Sequence, residues 1–100
     1  MTKQEIVKLK KEFIIEFGKH VKELRKSQKM TQAELSEKCF AETRKIGSVE
    51  RGEYDFSFSS IYIIAAGLGI SINKLLCFDA AKVYASKFSR KTENGYINHL

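Results

Sequence analysis

The chain has no proline anywhere in its 100 residues. Nothing in it forces a helix to stop through a missing amide and a locked φ. Glycine, asparagine and serine do the punctuation instead, and strand-like alternation is scarce. There are only two cysteines, Cys39 and Cys77, with no third or fourth ligand at metal spacing. That excludes a disulfide framework and a zinc site, and both thiols are expected to be reduced core residues of a cytoplasmic protein. No apolar run approaches the ~18 residues of a membrane helix, and no apolar stretch follows the first lysines as in a secretory signal. Catalytic groupings are missing too. There is no Ser/His/Asp, Cys/His or paired-carboxylate constellation at motif spacing, and no glycine-rich phosphate loop. His20 and His99 stand alone. An enzyme, a cofactor and a metal are therefore not expected.

Enough apolar residues are present for a globular fold, since 43% of the chain is hydrophobic. The length fits one domain with a small core. A helical domain of this size with an apolar surplus is expected to complete its core by pairing with a second copy. The net charge of +6 suits a polyanionic partner. It is unevenly placed. Residues 2–29 carry nine Lys or Arg against four Glu, and residues 82–100 carry a net +3. Residues 32–51 balance at zero, with Lys38, Arg44, Lys45 and Arg51 set against Glu34, Glu37, Glu42 and Glu50.

The apolar residues recur with a helical period. Ile6, Leu9, Phe13, Phe17, Val21 and Leu24 are three or four apart, which predicts one long helix over about Lys3–Ser27, with a break allowed near Gly18. Lysines 3, 8, 10, 11, 19 and 22 line its polar face as a solvated surface. Val7, Ile14 and Ile15 lie off the stripe and imply an extra partner surface. Thr31 and Glu34 form a capping box that starts a second helix ending near Lys38. A third runs from Glu42 or Thr43 to Arg51, with Gly52 in the left-handed position that closes it. Ser57 or Ser59 caps a fourth helix carrying Ile61, Ile64, Ala65 and Leu68, ended by Gly69. Ser71 caps a fifth with Ile72, Leu75 and Leu76 inward. Residues 80–88 have helical propensity, with Val83, Tyr84 and Phe88 apolar, and a polar tail follows.

Residues 32–51 are the most informative stretch. Leu35, Cys39, Ile46 and Val49 give two short helices one buried face each, and Ala41 tucks under the turn between them. Thr43, Arg44, Lys45 and Ser48 are left outward, as hydrogen-bonding and basic groups at the tip of a helix that could enter a groove of DNA.

With these residues in place the chain resembles the Cro/C1-type (Xre-like) helix-turn-helix family of bacterial and phage transcription regulators. The matching pieces are Val21-Lys22-Glu23-Leu24-Arg25, Met30-Thr31-Gln32-Ala33-Glu34-Leu35, Ile46-Gly47-Ser48-Val49-Glu50-Arg51-Gly52, Ile63-Ile64-Ala65-Ala66-Gly67-Leu68-Gly69-Ile70 and Ile72-Asn73-Lys74-Leu75-Leu76. Each is weak alone, and their order and spacing over residues 17–78 make the match specific. The resemblance implies an all-α, five-helix, lambda repressor-like DNA-binding domain, here with an N-terminal helical extension (1–16) and a C-terminal extension (79–100). It implies a double-stranded operator bound by a homodimer. Thr43, Arg44, Ser48 and Gly47 match base-reading positions, with Arg44 the strongest discriminator because a guanidinium can bond both acceptors of guanine. Gln32, Lys45, Arg51 and Tyr54 are candidates for phosphate. Arg25 and Glu50 match an ion pair that bridges the first and third helices and orients the reading helix. Glu42 is read as a structural cap or a negative-selection element. A toxin-neutralising antitoxin that autoregulates its operon is the alternative reading, with the same fold and a protein partner.

Three departures stand out. Ser36 replaces the family's usual alanine, and Phe56 stands where a proline is common. Phe40 replaces a turn glycine. Either that turn has a different conformation, or packing holds Phe40 in strain.

Overall fold

The computed structural model describes residues 1–53 and 57–78, which form five α-helices. They are α1 (Lys3–Ser27), α2 (Gln32–Lys38), α3 (Thr43–Glu50), α4 (Phe58–Leu68) and α5 (Ile72–Leu75). The predicted helix over residues 80–88 and the tail lie outside the described residues, as do Tyr54 and Phe56.

Four of the five helices, all but α3, begin where small polar residues cap them. Thr31 Oγ1 accepts from the Glu34 amide at 3.0 Å, while the Thr31 amide donates to Glu34 Oε1 at 2.7 Å. The same box opens α1, where Thr2 and Glu5 exchange bonds of 3.1 and 2.7 Å. Each box satisfies two amides that the helix start would otherwise orphan. Ser57 and Ser71 accept from the amides three residues on and start α4 and α5.

Gly18 does not break α1, which runs unbroken. Its missing side chain instead lets α1 close on α3: a Cβ there would sit 3.0 Å from the Glu50 carbonyl oxygen and still nearer that of Val49. Phe17, Val21, Leu35, Ile46, Val49, Ile64, Ala65, Leu68 and Leu75 meet in one core, joined by Cys39. Phe78 packs its ring 5.3 Å from Phe13 and 5.9 Å from Phe17. Toward its start the α1 stripe is less covered, with Ile6 50% exposed. Val7 is exposed, in line with a partner surface, but Ile15 is half-buried against Gly52 and is not free for one. Ala41 packs on the core beneath the turn. Cys77 is exposed, which corrects its assignment to the core: α5 ends after one turn at the buried Leu75, and Cys77 lies beyond it.

The turn after α2 is where the sequence left two alternatives. Phe40 has φ 53, so the left-handed conformation is kept. Its side chain is 99% exposed, so packing does not hold it. Backbone bonds do: Phe40 N donates to Glu37 O at 3.2 Å and Ala41 N to Ser36 O at 2.9 Å, the pairing of a Schellman motif. α1 and α3 end in the same pattern, at Lys29 (φ 58) and Gly52 (φ 72).

A left-handed L-residue costs about 1–2 kcal/mol, and glycine gives back part of that gain as greater chain freedom when unfolded. Phe40→Gly, which loses no packing, is therefore expected to stabilise the domain by roughly 0.5–1 kcal/mol. Thermal melting by circular dichroism should show a rise of several degrees. An unchanged or lower midpoint would show that the turn stores no strain.

Candidate nucleic-acid interface

α3 presents two kinds of face. Ile46, Val49 and Glu50 point inward. By helical spacing, Thr43, Gly47 and Arg51 form one row, in which Gly47 is buried and the other two are exposed, and Arg44 and Ser48 form the next. Thr43, Arg44, Lys45 and Arg51 are exposed and Ser48 is half-buried. Lys45 stands at the edge of this face, beside a groove of about 190 Å³ that it lines with Phe40, Ala41 and Ile63. The tip of α3 is fixed to α2 through Ser36, whose hydroxyl donates to Ala33 O at 2.8 Å and lies 3.1 Å from Thr43 Oγ1. Serine at this position thus adds a link between the helices.

Arg44 is not free in the unbound chain. Its Nε donates to Glu42 Oε1 at 3.0 Å, with the two side chains 84% and 63% exposed. Glu42 occupies the position before α3 but makes no side-chain capping bond, which corrects its reading as a cap. The carboxylate takes Arg44 instead. So exposed a pair is worth only about 0.5 kcal/mol, and a stronger acceptor can displace it.

The inward side of α3 is anchored by a buried network. Arg25 Nε donates to Glu50 Oε2 at 2.6 Å and Nη2 to Glu50 Oε1 at 3.0 Å. Arg25 Nη1 donates to Met30 O at 2.6 Å, tying in the loop before α2. The bond to Glu50 pushes the Arg25 guanidinium above the ordinary arginine value, outweighing burial, which acts the other way. Gln32 completes the network: its Nε2 donates to Glu50 Oε1 at 3.0 Å. No sequence signal announced this link, because it joins residues eighteen apart.

Gly47 is buried. A Cβ there would lie 3.0 Å from Arg51 Nη1 and 3.4 Å from Gln32 Oε1. The side chains of Arg51 and Gln32 therefore bracket it. Arg51 Nε also pairs with Glu53 Oε2 at 3.1 Å. Tyr54, the remaining phosphate candidate, lies outside the described residues.

Among the described residues, no group of three or more His, Cys, Asp or Glu could hold a metal ion, and no helix is long and apolar enough to cross a membrane. The one buried thiol, Cys39, donates to Ile63 O at 3.6 Å, and burial raises its pKa. What the geometry offers is a short helix with a polar and basic outer face, steadied by a second helix packed on it. A major groove about 12 Å wide admits such a helix.

No family model matches the chain. It is 32% identical over 59 residues to the immunity repressor protein of Bacillus phage phi105. That match covers 59% of this chain and 41% of the repressor, so the chain spans about two fifths of that relative's length. Among solved structures, the restriction-modification controller protein C.AhdI from Aeromonas hydrophila is similar, with a TM-score of 0.61 and 28% identity, over 63% of this chain and 96% of the controller. The controller protein C.Esp1396I shares the fold, with a TM-score of 0.64 and 22% identity, over 74% of this chain and 95% of that one. The chain is thus similar in sequence to a phage repressor and shares its all-helical fold with the restriction-modification controller proteins.

Proposed function

We propose that this chain is a sequence-specific DNA-binding regulator of transcription that represses from a near-palindromic operator. One observation carries the reading: the outer face of α3 is a continuous polar surface whose inner face is locked to α1 by a buried ion pair. Arg44, Thr43 and Ser48 read base edges from that surface. Gln32, Lys45, Arg51 and Tyr54 hold phosphates and set the register. Residues 17–78 form the reading unit. Residues 2–29 and 82–100 bring the excess positive charge, and the flanks, 1–16 and 79–100, bring the apolar surface for pairing. In a homodimer the two α3 helices enter successive major grooves ~34 Å apart. The repressor and controller names of the relatives support this reading, and no described feature favours the antitoxin alternative.

In-vitro selection from a random duplex pool tests it. The expected product is a site of two symmetric half-sites. Arg44→Ala then loses roughly 1–3 kcal/mol at one base position and relaxes the preference there, whereas Gln32→Ala weakens all sequences alike. If no duplex is retained at low salt, where phosphate contacts are strongest, the reading fails.

A further inference from the structure

We infer that Gly47 is a positioning residue: its missing side chain seats the Arg51 guanidinium beside the Gln32 side-chain oxygen, so that Arg51 presents its Nη edge to a DNA phosphate. The inference rests on the DNA-binding reading above.

Long side chains on a helix lean back toward its N-terminus, over the residue four positions earlier. Arg51 does this, and the residue four earlier is Gly47. The place a Cβ would take lies 3.0 Å from Arg51 Nη1, 3.8 Å from its Cζ and 3.4 Å from Gln32 Oε1. The bare backbone at Gly47 is thus what lets the guanidinium come in from one side and the amide from the other. Both side chains are also held from behind. Glu53 engages Arg51 Nε, leaving the Nη edge for a new acceptor. Glu50 engages Gln32 Nε2 and connects it to the buried pair with Arg25. A guanidinium fixed in this way loses less freedom when an anion arrives. Helix energetics alone would argue against the residue, since glycine inside a helix costs about 1 kcal/mol relative to alanine.

The test is a double-mutant cycle read by fluorescence anisotropy on a labelled duplex of arbitrary sequence, across a salt series, with a melting curve for each variant. Gly47→Leu should weaken binding roughly three- to tenfold at low salt and lower the salt slope by about one, as loss of one phosphate contact does. Its melting temperature should be unchanged or higher, because the helix gains a better former. Gly47→Ala, which asks the flexible Arg51 tip to give only slightly, should fall between. In an Arg51→Ala background, Gly47→Leu should cost nothing further. If it costs as much there as in the wild type, or leaves the salt slope alone, Gly47 does not act through Arg51 and the inference is overturned. If the wild-type chain binds no duplex at all, the DNA-binding reading falls, and the inference with it.

Discussion

Glu50→Ala is expected to cost the domain about 3–5 kcal/mol, the usual penalty for removing one partner of a buried ion pair. The Arg25 and Glu50 side chains are 8% and 2% exposed. Alanine at 50 would leave a guanidinium out of water with only its bond to the Met30 carbonyl, and would strip the Gln32 amide of its bond. The pair's merit lies less in net stability than in the penalty for breaking it, since desolvating two charges offsets most of their attraction. The cost should therefore be non-additive. Replacing both residues together, as in Arg25→Met with Glu50→Leu, should destabilise by much less than the two single changes summed. Urea denaturation of the four chains gives the comparison. A loss under about 1 kcal/mol for Glu50→Ala would mean that the pair is not desolvated in solution. The pH dependence has a defined sign. Arg25 is raised above its ordinary value, so its contribution is fully present below that value and is lost only in extreme alkali, as pH rises through the folded-state pKa. High salt should leave the penalty in place, as it screens buried pairs least.

Gly18→Ala should destabilise by about 3 kcal/mol, although alanine is the better helix former by about 1 kcal/mol. The added methyl would press on the backbone carbonyls of Val49 and Glu50, which cannot turn aside as a flexible side chain can. α1 and α3 would have to separate, and the contact surrounding Phe17 and Val21 would loosen with them. The same movement would shift Glu50 against Arg25. Gly18→Ala should therefore also weaken DNA binding at temperatures where the chain is still folded. A melting midpoint equal to or above wild type would show that the two helices are not in the close contact described.

Much of the architecture was legible because its causes are local. The α1 stripe, the Thr31–Glu34 box, the serine caps of α4 and α5, and the glycines at 52 and 69 each act within about one helical turn. Spacing alone also put Thr43, Arg44 and Ser48 on the outer face of α3. The match in motif order supplied the Arg25–Glu50 pair, which spacing could not reach. Three features stayed hidden. Gly18 read as a weak point in a helix, and its role appeared only once Val49 and Glu50 were seen against it. Glu42 read as a cap, because capping propensity cannot tell that a neighbouring guanidinium will win the carboxylate. Cys77 read as buried, because an apolar pattern does not reveal that α5 ends after one turn.

By itself, then, the sequence determined the helices, their ends, their order and the outward face of α3, since periodicity and capping depend on neighbours along the chain. Only the tertiary structure decided how closely α1 meets α3 at Gly18, that Gln32 joins the buried pair at Glu50, and that Arg51 folds back over Gly47. The first two join distant residues, and the third needs the amide of another helix to complete it. Such contacts follow from how the helices pack, which no local pattern contains.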